Sequence, residues 1–185
     1  MSPTSPTKIR AVFLDRDGVI NANNDRDGKP VAPTSFSQFR LLDGVEEAAR
    51  RLKAAGFLLV VVTNQPDLAT GRTSSAAMDE MHAEVRRRLP VDDIRVCPHV
   101  DADGCDCRKP KPGLLLAAAR KFGIDLAASY MVGDRWRDVV AGQAAGCETI
   151  FVDYGYVQDG PNHPDKTVRS LSEAADYVLA LETQR

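Results

Sequence analysis

The alternation of strand-like and helix-like segments is the feature that most restricts what this chain can fold into. Apolar runs at 9–14 and 57–62 flank an amphipathic stretch at 45–55, which Gly56 ends. The same alternation predicts further strands at 94–97, 130–132 and 149–152, and further helices at 74–89, 113–122, 136–145 and 171–181. A three-layer α/β fold, with a central parallel sheet and helices on both faces, is the architecture that this order favours.

Size and composition are those of a single globular domain with its own core. Of the 185 residues, 43% are hydrophobic and 27% are charged, and the formal net charge is −2. We expect one domain over 9–185, after a disordered tail at 1–8 that lacks the apolar core of a signal peptide. The apolar run at 57–62 is too short to cross a bilayer. These features predict a cytoplasmic monomer that binds neither nucleic acid nor membrane.

Polar side chains follow three of the predicted strands at the point where each strand ends. They are Asp15 and Asp17, Thr63 and Asn64, and Asp134. Ligands of parallel sheets bind beyond the carboxyl ends of the strands, so these side chains are expected to meet at one edge. Lys109 precedes a predicted helix and could reach the same edge.

The paired aspartates of the first motif point to a metal-assisted reaction on a phosphate ester. Asp15 and Asp17 share a face of an extended chain, and two close carboxylates need a cation unless one is protonated. With Asp134 they offer the hard oxygen ligands that Mg²⁺ prefers. Lys109 and the Thr63 hydroxyl would bind the phosphate oxygens, while one carboxylate acts as nucleophile and another as general acid and base. The alternative is a solvated strand end before a turn.

Four short motifs follow one another on these elements: Asp15-Arg-Asp-Gly-Val, Thr63-Asn-Gln, Lys109-Pro and Gly133-Asp134-Arg-Trp-Arg-Asp138. Together they resemble the four motifs of the haloacid dehalogenase superfamily of phosphatases, over residues 9 to about 157. The resemblance implies the Rossmann-like fold of that superfamily. It also implies that Asp15 is the nucleophile, which forms an aspartyl-phosphate, and that Asp17 is the general acid and base.

The same resemblance implies a set of metal and substrate contacts. Asp15, Asp134 and the main-chain carbonyl of Asp17 would hold the catalytic Mg²⁺. The residues implied or expected to bind phosphate or substrate are Thr63, Asn64, Arg108 and Lys109. The intervals between the motifs are filled by predicted elements, so we expect no cap domain. The segment 21–39 and the loop before Arg108 would then shape the pocket.

A cluster of possible metal ligands leads directly into the third motif. It consists of Cys97, His99, Cys105 and Cys107, within eleven positions. Three thiolates and one imidazole are the ligands of a closed structural zinc site, and cytoplasmic thiols stay reduced and available. We expect Zn²⁺ to fix the loop that carries Arg108 and Lys109. The alternative is a pair of buried thiols beside a surface histidine.

The cysteine cluster narrows the resemblance to the branch that holds the heptose bisphosphate phosphatases and the histidinol-phosphate phosphatases. The implied reaction is Mg²⁺-dependent hydrolysis of a sugar phosphate monoester. The leading substrate is D-glycero-D-manno-heptose 1,7-bisphosphate, cleaved at the 7-position, and histidinol phosphate or another small ester is the alternative. A non-catalytic zinc module that binds a partner is the rival from another class, which the intact pair Asp15 and Asp17 disfavours.

Some residues outside the motifs have ordinary structural interpretations. His82 lies in the middle of a predicted helix among charged residues and is interpreted as solvated. Cys147 is interpreted as a small core residue, and Trp136 as a packing residue at the start of a helix. Pro66 and Asp67, after Thr63-Asn-Gln, depart from the pattern expected of heptose bisphosphate phosphatases.

Overall fold

A parallel sheet of six strands forms the centre of the part of the chain that the computed structural model describes, residues 9–26, 29–157, 160 and 163–184. The six strands of this sheet are β1 (Ala11–Leu14), β4 (Leu58–Asn64), β5 (Asp93–Cys97), β6 (Tyr130–Gly133), β7 (Glu148–Val152) and β8 (Lys166–Val168). Two further strands, β2 (Asn24–Arg26) and β3 (Lys29–Val31), form a separate hairpin. The helices are α1 (Val45–Ala54), α2 (Ser75–Arg88), α3 (Gly113–Phe122), α4 (Trp136–Ala145) and α5 (Leu171–Glu182). The tail predicted at 1–8 lies outside the described residues.

The strand order places β1 in the interior of the sheet. The order is β5-β4-β1-β6-β7-β8, and every neighbouring pair is parallel. In chain order, β4 and β5 therefore extend the sheet on one side of β1, and β6, β7 and β8 extend it on the other side. Ligand sites of such sheets lie where the direction of building reverses, beyond the carboxyl ends of the strands. Here that point is the end of β1, between β4 and β6.

Two apolar cores, one on each face of the sheet, hold the helices. Along β1, Val12 and Leu14 face the first core while Ala11 and Phe13 face the second, as the two-residue period of a strand requires. The first core packs α1, α5 and the end of α2, and the second packs α3 and α4. Burial on both faces explains why the central strands are continuous apolar runs. The predicted fold class, a three-layer α/β fold, is confirmed.

The predicted elements agree with the observed helices and central strands, and three short strands were not expected. The helices at 113–122 and 136–145 have their predicted bounds, and the other ends shift by one or two residues. The patterns do not predict the hairpin β2-β3 or the edge strand β8, because these three-residue polar segments lack an apolar period. Among the described residues, no helix has the length and apolar character needed to span a membrane.

In the part of the chain that the structure describes, loops and a hairpin surround the carboxyl end of β1. Nη2 of Arg135 donates a hydrogen bond to the carbonyl of Pro30, in the hairpin, at 3.2 Å. The hydroxyl of Tyr154, after β7, donates to the carbonyl of Gly18, in the turn after β1, at 2.8 Å. The Tyr154 ring also stacks on Tyr156. These contacts join the hairpin to the segment after β6, and the loop after β7 to the turn after β1.

Candidate active site

A cavity of about 320 Å³ lies at the carboxyl ends of β1, β4 and β6. This volume suits a small organic ligand. The predicted site residues that line it are Asp15, Asp17, Asn64, Arg108, Lys109 and Asp134. The strand order thus brings together side chains that are up to 119 positions apart, from Asp15 to Asp134.

Lys109 is almost completely buried beside the cavity, with 2% of its surface exposed. Its Nζ donates to Asp15 Oδ1 at 2.9 Å, to Asp138 Oδ1 at 2.6 Å and to the carbonyl of Val62 at 2.8 Å. Burial lowers the pKa of an ammonium group, but the two carboxylates outweigh burial and raise the pKa of Lys109. Lys109 is therefore a fixed positive charge next to Asp15.

Three buried carboxylates face one another around this lysine. Oxygen atoms of Asp15, Asp134 and Asp138 all lie within 4.8 Å of one another. Burial, followed by repulsion from Asp138, raises the pKa of Asp15 to about 7, although Lys109 opposes the shift. Burial and then the charge of Asp15 raise the pKa of Asp134 well above its usual range. Lys109 pairs with two of these carboxylates, and Arg135 Nε lies 3.4 Å from Oδ2 of the third, Asp134.

This carboxylate cluster fits a divalent cation. Its donors are hard oxygen atoms, the ligands that Mg²⁺ prefers, and a divalent charge would offset the repulsion between them. Asn23 Nδ2 donates to Asp134 Oδ2 at 3.1 Å and orients that carboxylate. The sequence predicts Asp15 and Asp134 in this role, but it does not assign Asp138. The signal for Asp138 is its position in the first turn of α4, four residues after Asp134.

The carboxylate of Asp17 is held apart from the cluster by three neighbouring side chains. Arg16 Nη2 donates to it at 3.0 Å, Asn21 Nδ2 at 2.9 Å and Gln65 Nε2 at 2.7 Å. Asp17 still lines the cavity beside Asp15. These N–H donors fix the orientation of the carboxylate. Metal binding by its main-chain carbonyl stays a prediction.

The two residues at the end of β4 make different contacts. Thr63 is fully buried, and its Oγ1 accepts a hydrogen bond from Gln65 Nε2 at 2.9 Å. Asn64 Nδ2 donates to the Lys109 carbonyl at 2.9 Å, and its Oδ1 accepts from the Lys109 N–H at 3.0 Å. Both ends of the Asn64 amide are therefore used to hold the main chain of Lys109. Their predicted contacts with substrate stay predictions.

The predicted zinc ligands converge in the loop between β5 and α3. The Sγ atoms of Cys97, Cys105 and Cys107 lie 3.1–3.7 Å apart, and Nδ1 of His99 lies 3.3 Å from Cys107 Sγ and 3.6 Å from Cys97 Sγ. A tetrahedral zinc site with Zn–S bonds of about 2.3 Å places its sulfur atoms about 3.8 Å apart. Burial raises the pKa of Cys97 to about 12, a cost that a bound cation removes by stabilising the thiolate. The donor set and its spacing fit Zn²⁺.

Three guanidinium groups line the cavity around the buried cluster. They belong to Arg108, Arg135 and Arg137. Asp101 pairs with two of them, at 2.8 Å from Arg108 Nε and 2.9 Å from Arg137 Nη1. Arg108 Nη1 also donates to the carbonyl of His99, which connects this rim to the cysteine cluster. The cavity thus has a buried cation, Lys109, and a separate cationic rim.

The interpretation of His82 as a solvated residue is wrong. Its ring is partly buried, and its Nε2 lies 3.3 Å from Nη1 of the fully buried Arg16. The signal in the sequence is helical spacing, because His82 follows the buried Met78 by four residues. Cys147 is buried in the core, as predicted, and Lys29, at the start of the second hairpin strand, is exposed.

Comparison with known proteins agrees with this geometry. The family model described as HAD-hydrolase-like matches residues 106–177. A D-glycero-beta-D-manno-heptose-1,7-bisphosphate 7-phosphatase of Pasteurella multocida (strain Pm70) is 36% identical over 190 residues, which cover 94% of this chain and 99% of the relative. The enzyme of that name from Escherichia coli (strain K12) is 37% identical over 192 residues, 96% of each chain.

A solved structure shows the same architecture. It is a crystal structure of D,D-heptose 1,7-bisphosphate phosphatase from B. bronchiseptica, complexed with magnesium and phosphate. Its TM-score is 0.82 at 34% sequence identity, over 94% of this chain and 99% of that chain.

The chain belongs to the haloacid dehalogenase superfamily of phosphatases, since relatives more than a third identical extend over almost its whole length. The predicted enzyme class, a phosphoric monoester hydrolase, is confirmed. Within the superfamily, these relatives place the chain in the branch of the D-glycero-β-D-manno-heptose 1,7-bisphosphate 7-phosphatases.

Proposed function

We propose that this protein hydrolyses D-glycero-β-D-manno-heptose 1,7-bisphosphate and releases phosphate from the 7-position. The observation that carries the proposal is the presence of two separate sets of cationic side chains in one cavity. Lys109 lies against Asp15 at the buried end, and Arg108 and Arg137 lie at the rim. A substrate with two phosphates matches this arrangement, because one can meet Asp15 while the other meets the guanidinium groups. The relatives in this branch carry the name of this activity.

The reaction takes place in two steps. In the first, a carboxylate oxygen of Asp15 attacks phosphorus, the bond from phosphorus to the sugar oxygen breaks, and the Asp17 carboxyl gives its proton to that oxygen. In the second, Asp17 takes a proton from water, the resulting hydroxide attacks phosphorus, and the Asp15 carboxylate is released with inorganic phosphate. Lys109 stabilises the charge on the phosphoryl oxygens.

The hydrogen bonds around these two aspartates prepare them for different roles. Asp15 Oδ1 accepts from Lys109 Nζ and from the Arg16 N–H, at 2.8 Å for the latter, and these contacts fix the direction of its carboxylate. The donors around Asp17 hold its carboxyl group in one position beside Asp15. The Mg²⁺ that Asp15, Asp134 and Asp138 would hold supplies positive charge to offset the phosphoryl oxygens.

The proposal includes a cellular setting. We propose that the protein acts in the cytoplasm, where the thiols of the zinc cluster would stay reduced and able to bind metal. One chain supplies every residue named in the site, so we propose that a monomer acts on the small sugar phosphate. The formal net charge of −2 favours neither nucleic acid nor anionic membrane as a further partner.

Comparison of three esters tests the substrate. We expect kcat/KM to be highest for the heptose 1,7-bisphosphate, lower for the heptose 7-phosphate, and lowest for histidinol phosphate, whose amino group the guanidinium rim repels. Phosphorus NMR of the product should show the 1-phosphate retained. A higher kcat/KM for histidinol phosphate would overturn the proposal in favour of that substrate. Asp15→Asn is the control for contaminating phosphatases, and it should keep the fold and lose essentially all turnover.

A further inference from the structure

Arg16 is an arginine with no exposed surface, directly after the nucleophile Asp15. Its Nε and Nη2 donate to the Asp17 carboxylate at 3.0–3.2 Å. A guanidinium is stable inside a protein only where a counter-ion and hydrogen-bond acceptors surround it. Asp17 is the counter-ion, so the remaining nitrogen, Nη1, needs acceptors from another part of the fold.

Helix α2 supplies acceptors to Nη1. That nitrogen lies 2.9 Å from Met78 Sδ and 3.3 Å from His82 Nε2. Met78 and His82 are four residues apart, so they lie on the same side of the helix. Arginine only donates hydrogen bonds, so His82 Nε2 carries a lone pair and the ring proton is on Nδ1. The Phe39 ring, 6.0 Å from the guanidinium carbon, adds an aromatic contact.

The environment keeps His82 in the form that this contact needs. Burial, followed by the charge of Arg16, lowers the pKa of His82 to about 4. The imidazole is therefore neutral at physiological pH. An imidazolium could not accept the Nη1 proton and would repel the guanidinium.

We propose that His82 is a positioning residue for proton transfer: it holds Arg16, and Arg16 holds the carboxylate of Asp17. The proposal rests on the proposed phosphatase function and extends it to a helix that supplies none of the reacting groups. Without His82, Nη1 loses an acceptor in a buried place, and the guanidinium turns toward another partner. Asp17 then leaves its productive position, which slows proton transfer. Phosphate binding at Lys109 does not change, because Lys109 is held by other contacts.

The choice of leaving group distinguishes a displaced Asp17 from a general loss of structure. A sugar alkoxide must be protonated as it leaves, whereas p-nitrophenolate is a weak base that leaves without a proton. A displaced Asp17 therefore slows phosphoryl transfer from a sugar phosphate far more than transfer from p-nitrophenyl phosphate. The later attack of water also uses Asp17 but is common to both esters, so the comparison is made on kcat/KM, which reports only the steps up to departure of the leaving group. A general loss of structure would slow both esters alike.

His82→Leu removes the acceptor and keeps an apolar side chain. We expect kcat/KM for the sugar phosphate to fall ~10-fold or more, part of the ~10²–10⁴-fold that a general acid contributes. For p-nitrophenyl phosphate, kcat/KM should change less than about twofold, because departure of p-nitrophenolate needs no proton from Asp17. His82→Gln, whose Oε1 can accept the Nη1 hydrogen bond, should restore most of the rate. Glu80→Ala, exposed on the same helix, is the matched control.

A measurement without turnover completes the test. The ¹⁵N–¹H resonance of Arg16 Nε should shift or broaden in His82→Leu and stay in place in Glu80→Ala. Equal losses on both esters, a His82→Gln variant as slow as His82→Leu, or an unchanged Arg16 resonance would each overturn the proposal. Wild-type protein that is inactive on both esters, yet shows the Arg16 shift, would instead overturn the phosphatase function and keep the His82–Arg16 contact.

Discussion

At the scale of single residues, Lys109 is held through both its main chain and its side chain. Its main chain is held by Asn64, and its ammonium group contacts Asp15 and Asp138. One positive charge faces two carboxylates directly, and Asp134 adds a third. Lys109 is thus shared between two of the three buried carboxylates, and a bound divalent cation would reduce the repulsion among them, which gives metal binding a direct effect on stability.

A methyl group at Gly18 would test the metal site. Gly18 has φ of +85°, and a Cβ there would lie 2.1 Å from Asp134 Oδ2. We expect Gly18→Ala to displace Asp134 and weaken Mg²⁺ binding ~10–100-fold, the usual effect of disturbing the support of a metal ligand. Calorimetric titration with Mg²⁺ measures this.

Gly56→Ala is the control for Gly18→Ala, because Gly56 has φ of +88° with nothing within 4 Å of its added Cβ. Both variants should lose about 1–2 kcal/mol of unfolding free energy from left-handed backbone strain. Only Gly18→Ala should lose Mg²⁺ affinity. Equal Mg²⁺ affinity in the two variants would contradict the contact with Asp134.

The buried imidazole of His82 predicts acid sensitivity of the fold. Its pKa is about 4 in the folded protein, below the ordinary value of 6.5, so the unfolded chain binds the proton more readily. Its contribution to stability is therefore present above pH 6.5 and is lost as the pH falls toward 4. Urea unfolding at a series of pH values should show a smaller acid loss in His82→Gln. If the unfolding free energy falls equally with decreasing pH in both proteins, the folded protein does not bury His82 as a neutral ring.

Residues at strand ends were predictable, whereas their supporting residues were not. Asp15, Lys109 and Asp134 are recognisable because each lies next to the end of a strand or the start of a helix. Asp138 and His82 lie inside helices, where a polar residue is as easily solvated as buried. Only the packing of α4 and α2 against the sheet decides between those outcomes.

At the scale of elements, the zinc loop connects a metal cluster to the phosphate site. We expect Cys105→Ser to lose zinc while the sheet stays folded, because Cys105 is only partly buried against the second apolar core, most of whose members lie on the strands and on α3. Arg108 and Lys109 should then be misplaced, and kcat/KM should fall by up to ~10²–10³-fold, the usual cost of losing a charge-stabilising donor. Metal analysis, circular dichroism and kinetics measure the three effects.

Cys147→Ser is the matched control, because Cys147 is buried outside the cluster. That variant should keep one zinc per chain and its kcat/KM. If Cys105→Ser keeps zinc, or loses it without any change in catalysis, the loop does not position the site.

The strands show where sequence patterns lose their power. β4, with five of its seven residues buried between two layers of helices, begins with a continuous apolar run and was predicted at 57–62. The three-residue strands β2, β3 and β8 are polar, and each depends on a partner strand. Strand pairing depends on the neighbouring strand in the folded protein, so no local sequence pattern predicts it.

At the scale of the whole molecule, bound Mg²⁺ should stabilise the fold as well as enable catalysis. We expect a concentration of 100 times Kd to add about 2.7 kcal/mol to the unfolding free energy. Ca²⁺ should also stabilise but should not support turnover, because its larger and looser coordination shell misplaces the nucleophile. Thermal unfolding with each ion, alongside phosphate release, measures both effects. Asp134→Asn should lose most of the stabilisation, and a wild-type protein unaffected by Mg²⁺ would refute it.

The paired amide contact between Asn64 and the Lys109 main chain has a consequence for recombination among related enzymes. The end of β4 and the lysine segment form one transferable unit, although 45 positions of sequence separate them. A chimera that exchanges the zinc loop alone would divide this unit unless the donor carries a compatible residue at position 64. Crossover points placed before β4 and after Lys109 would keep both parts together, so that the transferred loop keeps the residue at position 64 that holds its lysine.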